Sequence, residues 1–145
     1  MKFDQLFLSD HNIMTTLSAK QDKLLSSSAN WKFHIALEEA LSFNSKTDTV
    51  YYSPGYNATV YLVPYVEHLW YRNYEFSITD RLYVAPGVEF EKGQSAEFAG
   101  YVKYEQEWTI TDTISFLTGV TGNRTNYDGD KSYGFSVFSS FIFHF

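Results

Sequence analysis

The chain has 145 residues, a formal net charge of −6 and no cysteine, which excludes disulfides, thiolate zinc sites and a cysteine nucleophile. The negative charge argues against a nucleic-acid partner, whose phosphates it would repel. Aromatic residues make up 19% of the chain, yet mean hydropathy is −0.28 and no run approaches the roughly 18 apolar residues of a spanning helix, so strands are favoured over membrane helices.

Clusters of Ser, Asp, Asn and Gly divide the sequence into eight strand candidates, at 2–8, 12–21, 31–44, 57–70, 74–90, 96–110, 113–125 and 132–145. The first segment holds Lys2 and Asp4 and is followed by neither an apolar run nor a small-residue cleavage site, so a fragment of a longer precursor is expected. The second sets Ile13, Thr15, Leu17 and Ala19 against Met14, Thr16, Ser18 and Lys20. In the third, Trp31, Phe33, Ile35, Leu37, Leu41 and Phe43 share a face that only Glu39 interrupts, opposite Lys32, His34, Ala36, Glu38 and Ala40. Such alternation is long for a soluble strand and right for a tilted membrane strand.

The fourth segment contains Pro64 and gives no clean alternation, and one of the neighbours Glu67 and His68 must point outward. In the fifth, Tyr74, Phe76, Ile78, Leu82 and Val84 oppose Glu75, Ser77, Thr79, Arg81 and Tyr83. Asp80 falls on the apolar face, which points to a bulge there or to a position beyond the apolar band. The sixth places Phe98, Gly100, Val102, Tyr104, Trp108 and Ile110 outward and Glu97, Tyr101, Lys103, Glu105, Glu107 and Thr109 inward. The last strand ends on the stripe Tyr133, Phe135, Val137, Ser139, Phe141, Phe143 and Phe145, an exposed aromatic edge that a soluble protein avoids and hydrocarbon welcomes. Phe141, Phe143 and Phe145 resemble the terminal membrane-facing signal of bacterial outer-membrane proteins.

The pattern predicts one all-β domain over 1–145, an antiparallel transmembrane β-barrel segment. Counting back from a periplasmic C-terminus gives outer loops at Ser9–Asn12, Ser45–Tyr56, Lys92–Ser95 and Asn126–Lys131. Periplasmic turns fall at Asp22–Asn30, Tyr71–Asn73 and Thr111–Asp112. Trp31, Trp70 and Trp108 read as interfacial girdle residues.

Tyr51-Tyr52-Ser53-Pro54, Trp70–Glu75, Gly100–Trp108 and Tyr127-Asp128-Gly129, with the terminal Phe, carry a resemblance over about residues 9–145. Together they resemble the C-terminal barrel of the poly-β-1,6-N-acetylglucosamine export porins of biofilm-forming Gram-negative bacteria. The resemblance implies the second half of a sixteen-stranded outer-membrane barrel, behind upstream strands and a periplasmic tetratricopeptide-repeat domain that are absent here. It also implies an exopolysaccharide substrate, outer-membrane lipid as solvent, and the barrel-assembly machinery as a partner of the C-terminal strand. An inner-membrane polysaccharide synthase and a periplasmic deacetylase follow by the same resemblance. The Tyr-Tyr-Ser-Pro loop is also similar to the barrel of cellulose export proteins.

On that reading Glu38, Glu75, Glu97, Glu105 and Glu107 are polysaccharide contacts in the lumen, with Tyr83 and Tyr101 as stacking platforms and Lys103 among them. An acidic lumen attracts a partly deacetylated, ammonium-bearing polymer weakly enough to release it. Equally, these acids can simply solvate the wall and pair with Lys32, Arg81 and Lys103. No cofactor or metal is expected: His11, His34, His68 and His144 lack a second histidine at i+2 or i+4, and Glu38 is too far from His34 along a strand. Tyr127-Asp128-Gly129-Asp130 reads as an Asp-Gly turn rather than a calcium loop.

Two alternatives stand beside export. A self-contained eight-stranded barrel would act as a lipid-modifying enzyme or an anchor, the former with His34, Glu38 and Ser42 or Ser140. A soluble calyx is the other, for which the outward Phe stripe is the wrong decoration.

Overall fold

A computed structural model of the chain describes residues 2–7, 12–46, 55–127 and 130–143. Its strands are β1 (Lys2–Phe7), β2 (Ile13–Ser27), β3 (Trp31–Asn44), β4 (Tyr56–Asn73), β5 (Phe76–Glu91), β6 (Glu97–Thr111), β7 (Ile114–Tyr127) and β8 (Asp130–Phe143). They form a single antiparallel sheet in chain order, each strand pairing with its sequence neighbours. Among the described residues β1 and β8 do not pair with each other, so the sheet is an open half-barrel rather than a closed eight-stranded one.

From β2 onward the strands run 14 to 18 residues. At a rise of about 3.3 Å and a tilt of about 40°, the shortest of these climbs about 35 Å, enough for the roughly 25 Å apolar band of an outer-membrane barrel.

Two turns lie further along than the sequence indicates. β2 continues through Asp22 to Ser27, leaving only Ser28–Asn30, where the Ser28 amide donates to the Trp31 carbonyl at 2.8 Å. β4 continues through Tyr71–Asn73 to a two-residue hairpin at Tyr74 and Glu75, with Tyr74 at φ 51°. The misreading has one cause: Asp22 and Arg72 look like turn residues, but a strand with one face toward water carries polar groups in mid-run. With Asp112–Thr113, these make one end of the sheet uniformly short-turned. The other end holds the described residues Asn12, Ser45, Lys46, Gly55 and 92–96. The Tyr51–Pro54 motif, His11, Asp128, Gly129, His144 and Phe145 lie outside the described residues.

The registers give every strand an inner and an outer face. Two aromatic belts mark the outer face. At the turn end are Trp31, His68, Trp70, Tyr71, Trp108, Phe116 and Phe141, many in ring contact: Trp31 stacks on His68 at 3.9 Å and Phe116 meets Phe141 at 4.8 Å. At the loop end are Phe43, Tyr56, Phe90, Phe98, Tyr133 and Phe135, all exposed. Aliphatic residues such as Leu62, Leu82, Val84, Val102 and Val137 fill the band between. The expected girdle role of Trp31, Trp70 and Trp108 fits this placement, with all three at the turn end. Phe141 and Phe143 face outward.

The fourth strand alternates after all: Glu67 points inward and His68 outward. Asp80 does face outward, with no bulge in β5, whose register to β6 is unbroken from Ser77 to Glu89. The bulge sits in the neighbouring strand between Leu69 and Tyr71, freeing Trp70, whose indole N–H donates to Asp80. Gln106 donates to the other Asp80 oxygen at 2.7 Å. An outward carboxylate is tolerated there because both oxygens are satisfied. Between Tyr61↔Gly87 and Tyr65↔Tyr83 the β4–β5 ladder is interrupted without a register change. Pro64 and Pro86 fall in that gap and supply no N–H to it.

Candidate functional site

The inner face is densest in the middle of β3 to β6. Ala36, Val63, Ala85 and Ala99 are almost fully buried, and their small side chains make a floor on which larger ones lie flat. Tyr61, Tyr65, Tyr83 and Tyr101 cover that floor. Tyr65 stacks on Tyr83 at 4.8 Å and on His34 at 4.5 Å, and Tyr61 meets Tyr101 edge-on at 5.5 Å. Tyr61 can reach across because Gly87 opposes it in register: a Cβ there would overlap the Tyr61 ring and the Val60 carbonyl.

Each of three tyrosine hydroxyls is bound to a carboxylate. Tyr83 donates to Glu105 at 2.7 Å, Tyr65 to Asp22 at 2.7 Å and Tyr101 to Glu38 at 2.8 Å. Two of these bonds skip strands: Tyr65 to Asp22 passes over β3, and Tyr101 to Glu38 passes over β4 and β5. Flat strands would hold β3 and β6 about 14 Å apart, so the second bond requires a strongly concave wall. Near the loop end, Glu89 makes a third brace, accepting from Asn57 at 2.5 Å and from the Asn126 amide at 3.0 Å across β6.

Below the tyrosines runs a charge ladder. Lys32 contacts Glu67 at 2.6 Å, and Glu67 contacts Arg81 at 2.8 Å. Arg81 reaches Glu107 at 2.8 Å and Glu105 at 3.6 Å, and Glu105 is also held by Lys103 at 2.9 Å. Lys103 lies 4.0 Å from the centre of the Tyr83 ring, and Lys20 pairs with Glu38 at 2.9 Å. A recess of about 330 Å³ beside Lys20, Glu38 and Tyr61 opens onto this face, lined also by Lys2 and Thr59. Changing Tyr101 to Phe, which deletes the longest brace and keeps the ring, is expected to cost about 1–3 kcal/mol, because Glu38 keeps only its lysine. Equilibrium urea unfolding in detergent measures it.

The apolar outer face with its two belts and the polar, braced inner face describe a barrel wall with lipid on one side and water on the other. A family model described as the PgaA membrane beta barrel domain matches residues 1–145. The chain belongs to that family. Among solved structures it is similar to a chain titled "Bacterial polysaccharide outer membrane secretin", with a TM-score of 0.89 at 22% identity. The match covers 99% of this chain and 49% of that one, so the chain spans about half the length of the structure it resembles. No curated protein matches. Membership in the PgaA barrel family makes the outer face a lipid contact and the inner face a lumen wall, in the outer membrane of a Gram-negative cell.

Within this PgaA-type wall the residues singled out by sequence take different positions. Glu38, Glu97, Tyr101, Lys103, Glu105 and Glu107 all lie on the inner face. Glu97 stands directly opposite Glu89, a like-charge pair. Glu75 is a correction: it lies exposed in the hairpin after Tyr74, at the turn-end mouth, not on a strand's inward face. Tyr83 is another, because its ring lies between Tyr65 and Lys103 and is only 7% exposed, which leaves no face for a sugar. Glu105, also 7% exposed, is bound by Tyr83, Lys103 and Arg81 and acts as the anchor of the wall. His34 sits with Asp22 and Tyr65, whereas Ser42 is hydrogen-bonded to Thr16 and Ser140 lies on β8, so the hydrolase constellation is not assembled.

Sequence reasoning missed Asp22, Tyr61, Tyr65 and Glu67. The signal was present in the odd positions Asn57, Thr59, Tyr61, Val63, Tyr65 and Glu67, which share the inner face. It is hidden there because Tyr and Val count as apolar.

Proposed function

We propose that this half-barrel is one wall of an outer-membrane conduit that exports an exopolysaccharide, and that its lumen suits partly deacetylated poly-β-1,6-N-acetylglucosamine. The carrying observation is the inner face, where Asp4, Asp22, Glu38, Glu67, Glu89, Glu91, Glu97, Glu105 and Glu107 outnumber Lys2, Lys20, Lys32, Arg72, Arg81 and Lys103 around a patch of partly exposed tyrosines. A saccharide needs aromatic faces to glide on and hydroxyl partners to exchange with, and ammonium groups on it are drawn by the acidic excess. The attraction stays weak because most carboxylates are already paired, which permits release. No covalent step is required, and the wall works as a non-enzymatic conduit.

A second half of similar size would close the barrel at sixteen strands, since the free edges of β1 and β8 must be paired in lipid. The barrel-assembly machinery, a synthase at the inner membrane and a periplasmic deacetylase are the partners such an export route needs.

Single-channel conductance of the whole protein tests this reading. Glucosamine oligomers with free amines are expected to block the channel, and Glu38→Gln with Glu97→Gln to weaken the block about two- to tenfold, the loss of two partly screened charges. Fully acetylated oligomers blocking equally well would move the assignment to a neutral polymer such as cellulose. A protein with no conductance would count against a conduit.

A further inference from the structure

On the outer face a groove of about 470 Å³ crosses β5 to β8 toward the loop end, walled by Val84, Pro86, Phe98, Val102 and Tyr133. Its depth comes from Gly100 and Gly122, which stand at outward positions where neighbouring strands carry Val or aromatic side chains. Arg124 closes one end. Its guanidinium lies 5.1 Å from the centre of the Phe98 ring, and its Nε is buried without a hydrogen-bond acceptor. Lys131 follows on the same outward set, paired in register with Asn126 one step beyond the Arg124–Tyr133 pair. Neither cation has an acidic partner among the described residues.

A groove on the lipid side of an outer-membrane barrel is filled by lipid, so its lining and charge decide which lipid. Barrels of this kind keep short turns in the periplasm and longer loops outside. The loop end, with Phe98, Tyr133, Arg124 and Lys131, therefore stands at the outer-leaflet headgroup level. Two cations with no ion pair among the described residues, beside an apolar channel, complement a headgroup with phosphate and no amine of its own. We propose that this groove seats an acyl chain of a phosphorylated outer-leaflet glycolipid, with Arg124 and Lys131 binding its phosphate. This site is independent of what passes through the lumen.

Native mass spectrometry of the whole protein in detergent tests it, with bisphosphorylated lipid A, the same lipid after enzymatic dephosphorylation, and inorganic phosphate as probes. The phosphorylated lipid is expected to bind about thirtyfold tighter than the dephosphorylated one, about fivefold per cation. Arg124→Gln with Lys131→Gln should bring the two lipids to parity. Gly122→Leu should weaken both, because it fills the groove. A Cβ at Gly122 meets nothing within 4 Å, so the first carbon of the new side chain enters open space. Heat-modifiable gel mobility confirms that each variant is folded. A wild-type protein indifferent to the lipid's phosphates, a charge variant that keeps the preference, a Gly122→Leu protein with unaltered lipid binding, or lipid displaced by equimolar inorganic phosphate would each overturn the proposal.

Discussion

Replacing Arg81 by methionine is expected to destabilise the folded wall by about 2–4 kcal/mol, the range for removing one member of a half-buried charge network. The urea midpoint for unfolding in detergent, at constant slope, reads it. Arg81 stands in register between Glu67 on β4 and Glu105 on β6, and its guanidinium also holds Glu107 at 2.8 Å. Glu67 retains Lys32 and Glu105 retains Lys103 when the arginine is lost, so the penalty falls mainly on Glu107, left next to Glu105 with no cation. Pairing Arg81→Met with Glu107→Gln should therefore recover about half of the loss, a coupling that independent sites do not show. Lysine at 81 should recover little, since one ammonium cannot bridge carboxylates on two flanking strands as a planar fork does. An Arg81→Met cost within about 0.5 kcal/mol would mean that lumen water screens the ladder and that its pairs are surface decoration.

On the proposed export reading, the same network bears on transport. Hydroxyls tied to Glu38, Asp22 and Glu105 fix the tyrosine rings before any sugar arrives, so little side-chain entropy is lost on contact. Tyr83 and Glu105 are the fixed members, whereas Tyr61, Tyr65 and Tyr101, each partly exposed, present surface to the lumen. On that reading an exported polymer would meet a preset wall with few unpaired charges, which favours passage over tight binding.

The strand faces that contact lipid were the legible part of this sequence. Hydrocarbon tolerates few exceptions, so Trp31 to Phe43 and Phe98 to Ile110 alternate openly, and even Asp80 was readable as an outward anomaly. The cause of that anomaly was not, because the compensating bulge lies at Trp70 on another strand and depends on pairing. The lumen was less legible. Its wall mixes Tyr, Val and Ala with Glu and Lys, so β4 shows no contrast between its faces, and Asp22 resembled a turn until β2 was seen to run on to Ser27. The assembled site depends on contacts such as Tyr101 with Glu38, 63 residues apart, and no local pattern encodes a bond that skips two strands.

Valine at Gly87 is expected to be the most damaging small substitution in the wall, costing about 3 kcal/mol or more. Overpacking in a dense region costs about 1–3 kcal/mol, and here one of the obstacles is backbone. The new Cβ would meet the Val60 carbonyl as well as the Tyr61 ring, and the ring can swing aside only by giving up its contact with Tyr101. Glycine in a strand is otherwise a weakness, so its presence opposite Tyr61 is explained by the room the ring needs. Gly119 repeats the arrangement in the β7–β8 pair, with Phe138 over it, and should respond in the same direction. Gly122→Val is the control, because that position opens onto empty space and valine there improves strand propensity. Urea unfolding of the three variants side by side gives the answer: equal stability of the Gly87 and Gly122 variants would show that Tyr61 is not packed against the strand. A large loss at Gly87 and none at Gly122, together with altered single-channel conductance of the Gly87 variant, would tie the tyrosine patch to the shape of the lumen.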